Sequence, residues 1–425
     1  MKIEGSFYPP GDKSISHRLA LMSLISRGAC EIRNFSSARD CMTSLRIVGE
    51  LGGMVRIESE RLLIRGIDRR LKSGASMDCE NSGTTIRLLM GILSPNHGDF
   101  QLDGDQSLRN RPMERVAIPL REMGANIICS EMGKPPVRII GSDLHGIEFR
   151  LPTPSAQVKS AVLLAGIQTE GQTSVVELIP SRDHTEILLR KCGADIEKTQ
   201  SGWSVRKSTL TMPERYYVPG DASSACFFIC AATVIPGSRV VARKVLLNPT
   251  RTGAISVLKR MGADMETLIH HGADSTHADD PGEIYGDITA RFNGALKPFE
   301  VSPEETPLLV DEVPILALVA TQATGSSVFH DVSELRIKES DRVQAIVSQL
   351  NSMGAHLETR GDSLYIHGPT KLVARNNMES FGDHRIAMTL KIAGLISDSF
   401  PKINDEDCIG ISYPDFTDTL ESLVK

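Results

Sequence analysis

Aromatic side chains make up only 4% of this 425-residue chain, with one tryptophan, six tyrosines and twelve phenylalanines. Single-stranded nucleic acid stacks its bases on aromatic platforms, so a chain this poor in them is not expected to bind it. The net charge of −6 points the same way, because a binder of phosphate backbones carries a basic face. No apolar run approaches the roughly 18 residues that span a bilayer. The opening MKIEGSFYPPGDKS has neither the basic stretch nor the apolar core of a secretory leader, so a cytoplasmic protein without a membrane partner is expected. The eight cysteines contain no CxxC pair and sit mostly in apolar segments, the pattern of reduced core thiols. Cys226 and Cys230 are four apart and can share a helix face, but no further Cys or His stands at zinc-site spacing.

What the chain does have is length and repetition. Apolar residues at 40% and charged residues at 24% are those of a folded globular protein. A single core stops growing near roughly 250 to 300 residues, so two domains are expected. An amphipathic helix, a hydrophobic-Gly-Ala turn and a strand recur as LREMGANIIC, LLRKCGADIEK, LKRMGADMET and LNSMGAHLET, with a looser copy in VGELGGMVRIES. The marker glycines Gly52, Gly124, Gly193, Gly262 and Gly354 stand where a left-handed helix stop belongs. Their last interval is the longest, which suggests an insertion near 268–305 with HHGADSTHADDPGE as a surface loop.

A second phrase alternates with the first: a polar helix start, an apolar helix, a turn and a strand. Its six copies begin at DKSISHR, NSGTTIR, SAQVKSA, DASSACF, DEVPILA and DHRIAMT. Six units arranged three and three predict two pseudo-symmetric α/β domains. Helices such as AVLLAG and ACFFICAATV are apolar nearly all round, so they belong inside, with the strands outside them.

The polar residues of these repeats gather at helix starts, where backbone N–H groups and the helix dipole attract anions. Lys13, Ser14 and Arg18 open the first copy, Asn81, Gly83, Thr84, Thr85 and Arg87 the second, and Ser155, Gln157 and Lys159 the third. Asp311 opens the fifth and Asp383, His384 and Arg385 the sixth, while the other helices contribute Arg111, Arg182, Lys338, Glu339, Asp341 and Arg342. Each has a plainer reading: Asn81, Ser155 and Asp311 as simple N-caps, Arg87 as a snorkelling side chain, RIKESDR as a solvated helix face. Their coincidence at equivalent repeat positions favours a basic pocket for one or two phosphorylated substrates. Other motifs fail: PPGDKS lacks the N–H groups of a nucleotide phosphate loop, no GxGxxG follows a strand, and SRDHTE places Ser, Asp and His consecutively rather than on distant segments. His270, His271 and His277 have no carboxylate at fixed spacing, and no metal site is expected.

PGDKSISHR, GTTIRLLMG, RPM, SAQVKSAVLLAG, SRDHTE, PGDASSA, RIKESDR and DHRIAM, in that order from end to end, resemble the signature blocks of the EPSP synthase family of enolpyruvyl transferases. The resemblance implies an inside-out α/β barrel fold in two domains, each of three βαβαββ-type units. Residues 1–12 with 219–425 would form one domain and 13–218 the other, with the active site in the cleft between them. It implies transfer of the enolpyruvyl group of phosphoenolpyruvate to the 5-hydroxyl of shikimate 3-phosphate, without cofactor or metal, by a monomer that glyphosate inhibits. By motif, Lys13, Ser14, Arg18, Ser155, Ala156, Gln157, Arg182, Asp311 and Lys338 would hold shikimate 3-phosphate. Lys13, Gly83, Arg111, Gln157, Arg342, His384 and Arg385 would surround phosphoenolpyruvate. Asp311, Glu339 and Lys13 would move protons.

One departure stands near the C-terminus, where many members carry a lysine before the aromatic-Pro pair and CIGISYPDF has Gly410 and Ile411. Two other readings compete. A transferase acting on UDP-N-acetylglucosamine shares the chemistry but typically has a cysteine in the loop before the arginine matching Arg111, and NHGDFQLDGDQSLRNRPM has none. A non-catalytic repeat scaffold would suit the repeats, but not the charges at helix starts.

Overall fold

The computed structural model describes residues 1–59, 61–271 and 282–425. The chain divides into two compact units, one of Met1–Pro10, Pro219–Gly272 and Glu283–Lys425, the other of Gly11–Val218 with Ala273–Gly282. In each, apolar helices occupy the centre and small sheets lie around them, the expected inside-out α/β arrangement.

One sheet pattern repeats. In the Gly11–Val218 unit, Arg215–Tyr217 pairs in parallel with Ala29–Arg33, which pairs antiparallel with Arg61–Arg65, itself antiparallel to Met54–Glu58. The same order recurs through Ser76–Asp78, Asp99–Asp103, Val137–Ile140 and Asn126–Cys129, and again through Glu148–Arg150, Gln172–Val176, Gly202–Arg206 and Ile196–Thr199. In the other unit it recurs through Glu4–Phe7, Arg239–Leu246, Tyr285–Arg291 and Asp264–His271, and through Glu300–Val301, Gly325–Phe329, Ser363–Gly368 and His356–Arg360. The sixth repeat has only the parallel pair Met378–Glu379 and Ile403–Asn404 among the described residues. Its antiparallel hairpin is replaced by the Glu406–Ile411 turn and the helix Phe416–Leu423. The sheets stay separate rather than joining in one continuous barrel wall.

All five marker glycines adopt the left-handed conformation that ends a helix, with φ between 84° and 102°. The long interval is only partly loop. Asp264–His271 and Tyr285–Arg291 are strands inside it, while most of HHGADSTHADDPGE lies outside the described residues. His277 and the side chain of His271 fall there too; His270 Nε2 sits 2.8 Å from Asp287.

The six central helices are Lys13–Met22, Gly83–Leu93, Ala156–Gly166, Ala222–Val234, Val313–Ala320 and His384–Ile396. Every residue of Val313–Ala320 is buried, and so is all of Ala222–Val234 except its last. One aromatic cluster stands out: Phe228 packs on Phe7, Tyr413 and Phe416, tying the first strand of the unit to its last helix. All eight cysteines are free, and Cys226 and Cys230 face each other with sulfurs 3.6 Å apart. Among the described residues no helix is long and apolar enough to cross a membrane.

Close packing of two central helices rests on Gly91, where an added Cβ would come 2.2 Å from the carbonyl oxygen of Ala161. Gly262 has φ +86° and open space around it. Gly91→Ala is therefore expected to lose more than about 3 kcal/mol by urea unfolding, and Gly262→Ala only about 1 kcal/mol, from backbone strain alone. Equal losses in the two variants would contradict this account of the core.

Candidate active site

Five of the six central helices begin with a side-chain cap. Asp12 accepts from the N–H of Ile15, Ser82 from Thr85, Ser155 from Val158, Asp221 from Ser224 and Asp383 from Arg385. Each cap meets one orphan N–H; Asp12, Asp221 and Asp383 also offset the positive end of the helix dipole, whereas the neutral Ser82 and Ser155 leave it in place. Two of the expected caps are displaced: Ser82 rather than Asn81 caps its helix, and Asp311 precedes the residue, Glu312, at which the Val313 helix starts. Pro314 in the first turn needs no donor partner, which is why that helix starts without a side-chain cap.

In the Gly11–Val218 unit, the Lys13 ammonium lies 2.9 Å from Asp40 Oδ2. Arg18 is buried; its guanidinium donates to Thr185 Oγ1 at 2.6 Å, Ser160 Oγ at 2.9 Å and the carbonyl of Ser14 at 2.9 Å. Thr185 belongs to the helix His184–Lys191, just beyond Arg182, so these bonds link the first and third repeats. Arg87 joins the second and third: it donates to Gln157 Oε1 at 2.6 Å and to the carbonyl of Pro112 at 3.3 Å. Gln157 in turn donates to Thr84 Oγ1 at 3.0 Å, which orients its amide. Arg111 donates to Asn81 Oδ1 at 2.6 Å. Gly83 sits against both guanidiniums, since a Cβ there would come 3.0 Å from Arg111 Nη1 and 3.0 Å from Arg87 Nη1. Ser155 and Ala156 form the cap and first turn of the helix that carries Gln157.

His17 is buried behind this group, and desolvation pushes its pKa down to about 3, so it is a neutral ring. Its Nδ1 meets Ser44 Oγ at 2.8 Å, and a chain of hydroxyls continues through Thr85 to Ser82.

In the other unit the centre is Arg342, which is 1% exposed. The solvated-face reading of RIKESDR fails here, because Asp341 caps a helix that begins at Arg342 and points this side chain inward. Its Nε donates to Asp383 Oδ2 at 2.8 Å, Nη1 to Asp311 Oδ1 at 3.2 Å and Nη2 to Glu339. Burial works against its charge, but Asp383, Glu339 and Asp311 together raise its pKa above the ordinary arginine value. Arg385 also holds Asp311, through its backbone oxygen at 3.1 Å and a carboxylate oxygen at 3.5 Å. Lys338 lies 3.8 Å from Glu334; desolvation lowers its pKa, against the pull of Asp311 and Glu334. His384 is buried as the first residue of its helix.

The expected residues thus form two constellations, one in each unit. Sequence reasoning missed the partners that aim them: Asp40, Ser160 and Thr185 are ordinary helix residues by pattern, and nothing in their spacing marks them. Gly410 and Ile411 lie in the Glu406–Ile411 turn, with Ile411 packed on the core, so no cation stands at that position. Among the described residues no cluster of three His, Cys, Asp or Glu is arranged to hold a metal.

Removing Arg342 would take a shared buried cation from three carboxylates, of which Asp311 keeps Arg385. Arg342→Met is expected to cost about 3 to 5 kcal/mol in denaturant unfolding, with most of the loss recovered at acidic pH as the stranded carboxylates take up protons. A variant as stable as the parent at neutral pH would show that the cluster is solvated.

The profile of the family described as EPSP synthase (3-phosphoshikimate 1-carboxyvinyltransferase) matches residues 1–420. A 3-phosphoshikimate 1-carboxyvinyltransferase of Bacillus velezensis is 42% identical over 426 residues, covering 100% of this chain and 98% of its own length. The enzyme of the same name from Bacillus subtilis is 40% identical over 426 residues, with the same coverage. Among solved structures, EPSP synthase from Acinetobacter baumannii superposes with a TM-score of 0.86 at 37% identity, over 99% of this chain and 96% of that one. The enolpyruvyl transferase NikO from Streptomyces tendae, 17% identical, has a TM-score of 0.77 over 99% and 95% of the two chains and shares the fold.

Proposed function

We propose that this chain, which belongs to the EPSP synthase (3-phosphoshikimate 1-carboxyvinyltransferase) family of transferases, moves the enolpyruvyl group of phosphoenolpyruvate onto the 5-hydroxyl of shikimate 3-phosphate. What carries the reading is the match along the whole chain to enzymes of that name, which favours it over the UDP-N-acetylglucosamine and scaffold readings. The hydroxyl oxygen bonds to C2 of phosphoenolpyruvate as C3 takes a proton, giving a tetrahedral adduct. C3 then returns a proton and the C2–O bond to phosphorus breaks, releasing inorganic phosphate and leaving an enolpyruvyl ether. The product feeds the synthesis of aromatic amino acids.

The two substrates together bring two phosphates and two carboxylates, so binding needs concentrated positive charge. Ser14, Arg18, Ser155, Ala156, Gln157, Arg182 and Lys338 hold shikimate 3-phosphate, and Gly83, Arg111, Gln157, Arg342, His384 and Arg385 hold phosphoenolpyruvate, with Lys13 serving both. The bonds described for Arg18, Arg87 and Arg111 to hydroxyl and amide oxygens fix the direction of these guanidiniums. Asp311 receives the proton of the attacking hydroxyl, and Glu339 and Lys13 exchange the proton at C3. In this reading the chain is a cytoplasmic monomer whose domains meet the crossings near Asp12 and Pro219; sedimentation checks the monomer.

Phosphate release from purified protein, with no metal added, tests the reaction. Release is expected with shikimate 3-phosphate and phosphoenolpyruvate, and none when UDP-N-acetylglucosamine replaces the shikimate ester; the reverse would transfer the reading to the rival enzyme. Lys338 must be cationic to hold the ester, and its lowered pKa means it loses its proton at a lower pH than a free lysine. The ratio kcat/KM should therefore fall on the alkaline side below pH 10.5, Lys338→Arg should move that limb upward, and Lys338→Ala should lose at least about a hundredfold in rate. Full activity in Lys338→Ala would sink the assignment.

Glyphosate is expected to inhibit. A methyl at Gly83 would push against Arg111 and Arg87, so Gly83→Ala should raise both the inhibitory concentration and the KM for phosphoenolpyruvate, the former by about tenfold or more. Turnover of the parent that millimolar glyphosate leaves unchanged would overturn the expectation.

A further inference from the structure

Lys159 takes no part in the chemistry above, yet it is fully buried and charged. Its side chain leaves the Ala156–Gly166 helix two residues after Gln157. The ammonium lies 2.8 Å from Glu177 Oε1 and 2.9 Å from Glu186 Oε1, both carboxylates almost wholly out of solvent. It also donates to the carbonyl of Ser181 at 3.3 Å. The second oxygen of Glu177 accepts from the backbone N–H of Ser181 at 3.0 Å and from its hydroxyl at 2.7 Å. Ser181 is thus held on both sides by one ion pair, immediately before Arg182. Four residues on, Thr185 Oγ1 accepts a hydrogen bond from Arg18 Nε and shares a 2.6 Å hydrogen bond with Ser160, and the next residue is Glu186.

Stability alone does not account for this arrangement. Each buried ion costs several kcal/mol of desolvation, and apolar residues of similar volume usually serve a core as well or better. Two carboxylates facing one ammonium add an excess of negative charge, and burial raises the pKa of Glu186 despite the pull of Lys159. What the cluster does provide is geometry. It joins a helix, the loop after the strand Gln172–Val176 and the start of a second helix, and the residues between its anchors include Arg182 and the hydroxyl that aims Arg18.

We propose that Lys159, with Glu177 and Glu186, is a positioning residue for shikimate 3-phosphate: it sets the Ser181–Thr185 turn, and through it Arg182 and Arg18, at the spacing the ester needs. The proposal rests on the reading that this chain uses shikimate 3-phosphate.

Steady-state kinetics test it in Lys159→Met and Glu177→Gln. The first leaves two carboxylates buried without their cation, so the second, which keeps the Lys159–Glu186 pair, guards against a failure to fold. The KM for shikimate 3-phosphate should rise about tenfold in Glu177→Gln and further in Lys159→Met, while the KM for phosphoenolpyruvate and kcat change by less than about twofold. Titration calorimetry with shikimate 3-phosphate alone should show the same loss. An unchanged KM for the ester in folded Glu177→Gln, or parallel rises in both KM values, would overturn the positioning role while leaving the reaction intact. A parent enzyme that does not turn over shikimate 3-phosphate would overturn the underlying reading, and this inference with it.

Discussion

The organisation of this protein follows from burying six helices on nearly all sides. A helix without a solvent face must pair every polar group it buries, and its N-terminal end must find partners for N–H groups that the helix itself cannot satisfy. Asp12, Ser82, Ser155, Asp221 and Asp383 meet that need. The first helical residues beyond four of these caps are Lys13, Gly83, Ala156 and His384, each in the constellation of its own unit. The scaffold and the site are therefore one construction: what satisfies the helix starts also gathers positive potential there.

The two units use that potential differently. Around Gly11–Val218, the guanidinium bonds described above run to hydroxyl, amide and carbonyl oxygens, which fix their direction. In the other unit Arg342 is shared among Asp311, Glu339 and Asp383, and Arg385 also leans on Asp311. Charge there is balanced internally, and the carboxylates stand in fixed relation to cations.

Much of this was legible in the sequence because it depends on local rules. The marker glycines predicted helix stops and all five adopt them; the all-apolar helices predicted burial and show it. What escaped depends on tertiary contacts. RIKESDR reads equally well as a solvated face, and only the cap at Asp341 and the carboxylates of Asp311 and Asp383 from separate segments turn Arg342 inward. Asp40 stands outside every quoted motif, and Thr185, though inside SRDHTE, acquires its role only beside Arg18. The sixth repeat keeps the helix motif DHRIAM but loses its hairpin, because the residues that follow form a turn and a helix that pack against the first strand instead.

The carboxylate cluster also bears on the order of events in the proposed reaction. A carboxylate that two guanidiniums hold, as Asp311 is held by Arg342 and Arg385, is a weak proton acceptor, because protonating it forfeits two charge-assisted contacts. Such a group does not draw a proton from an ordinary alcohol. It can receive one from an alcohol whose oxygen is already bonding to an electron-poor carbon, and C2 becomes electron-poor as C3 gains its proton. In the proposed reaction, proton delivery to C3 would therefore come before, or together with, loss of the hydroxyl proton to Asp311.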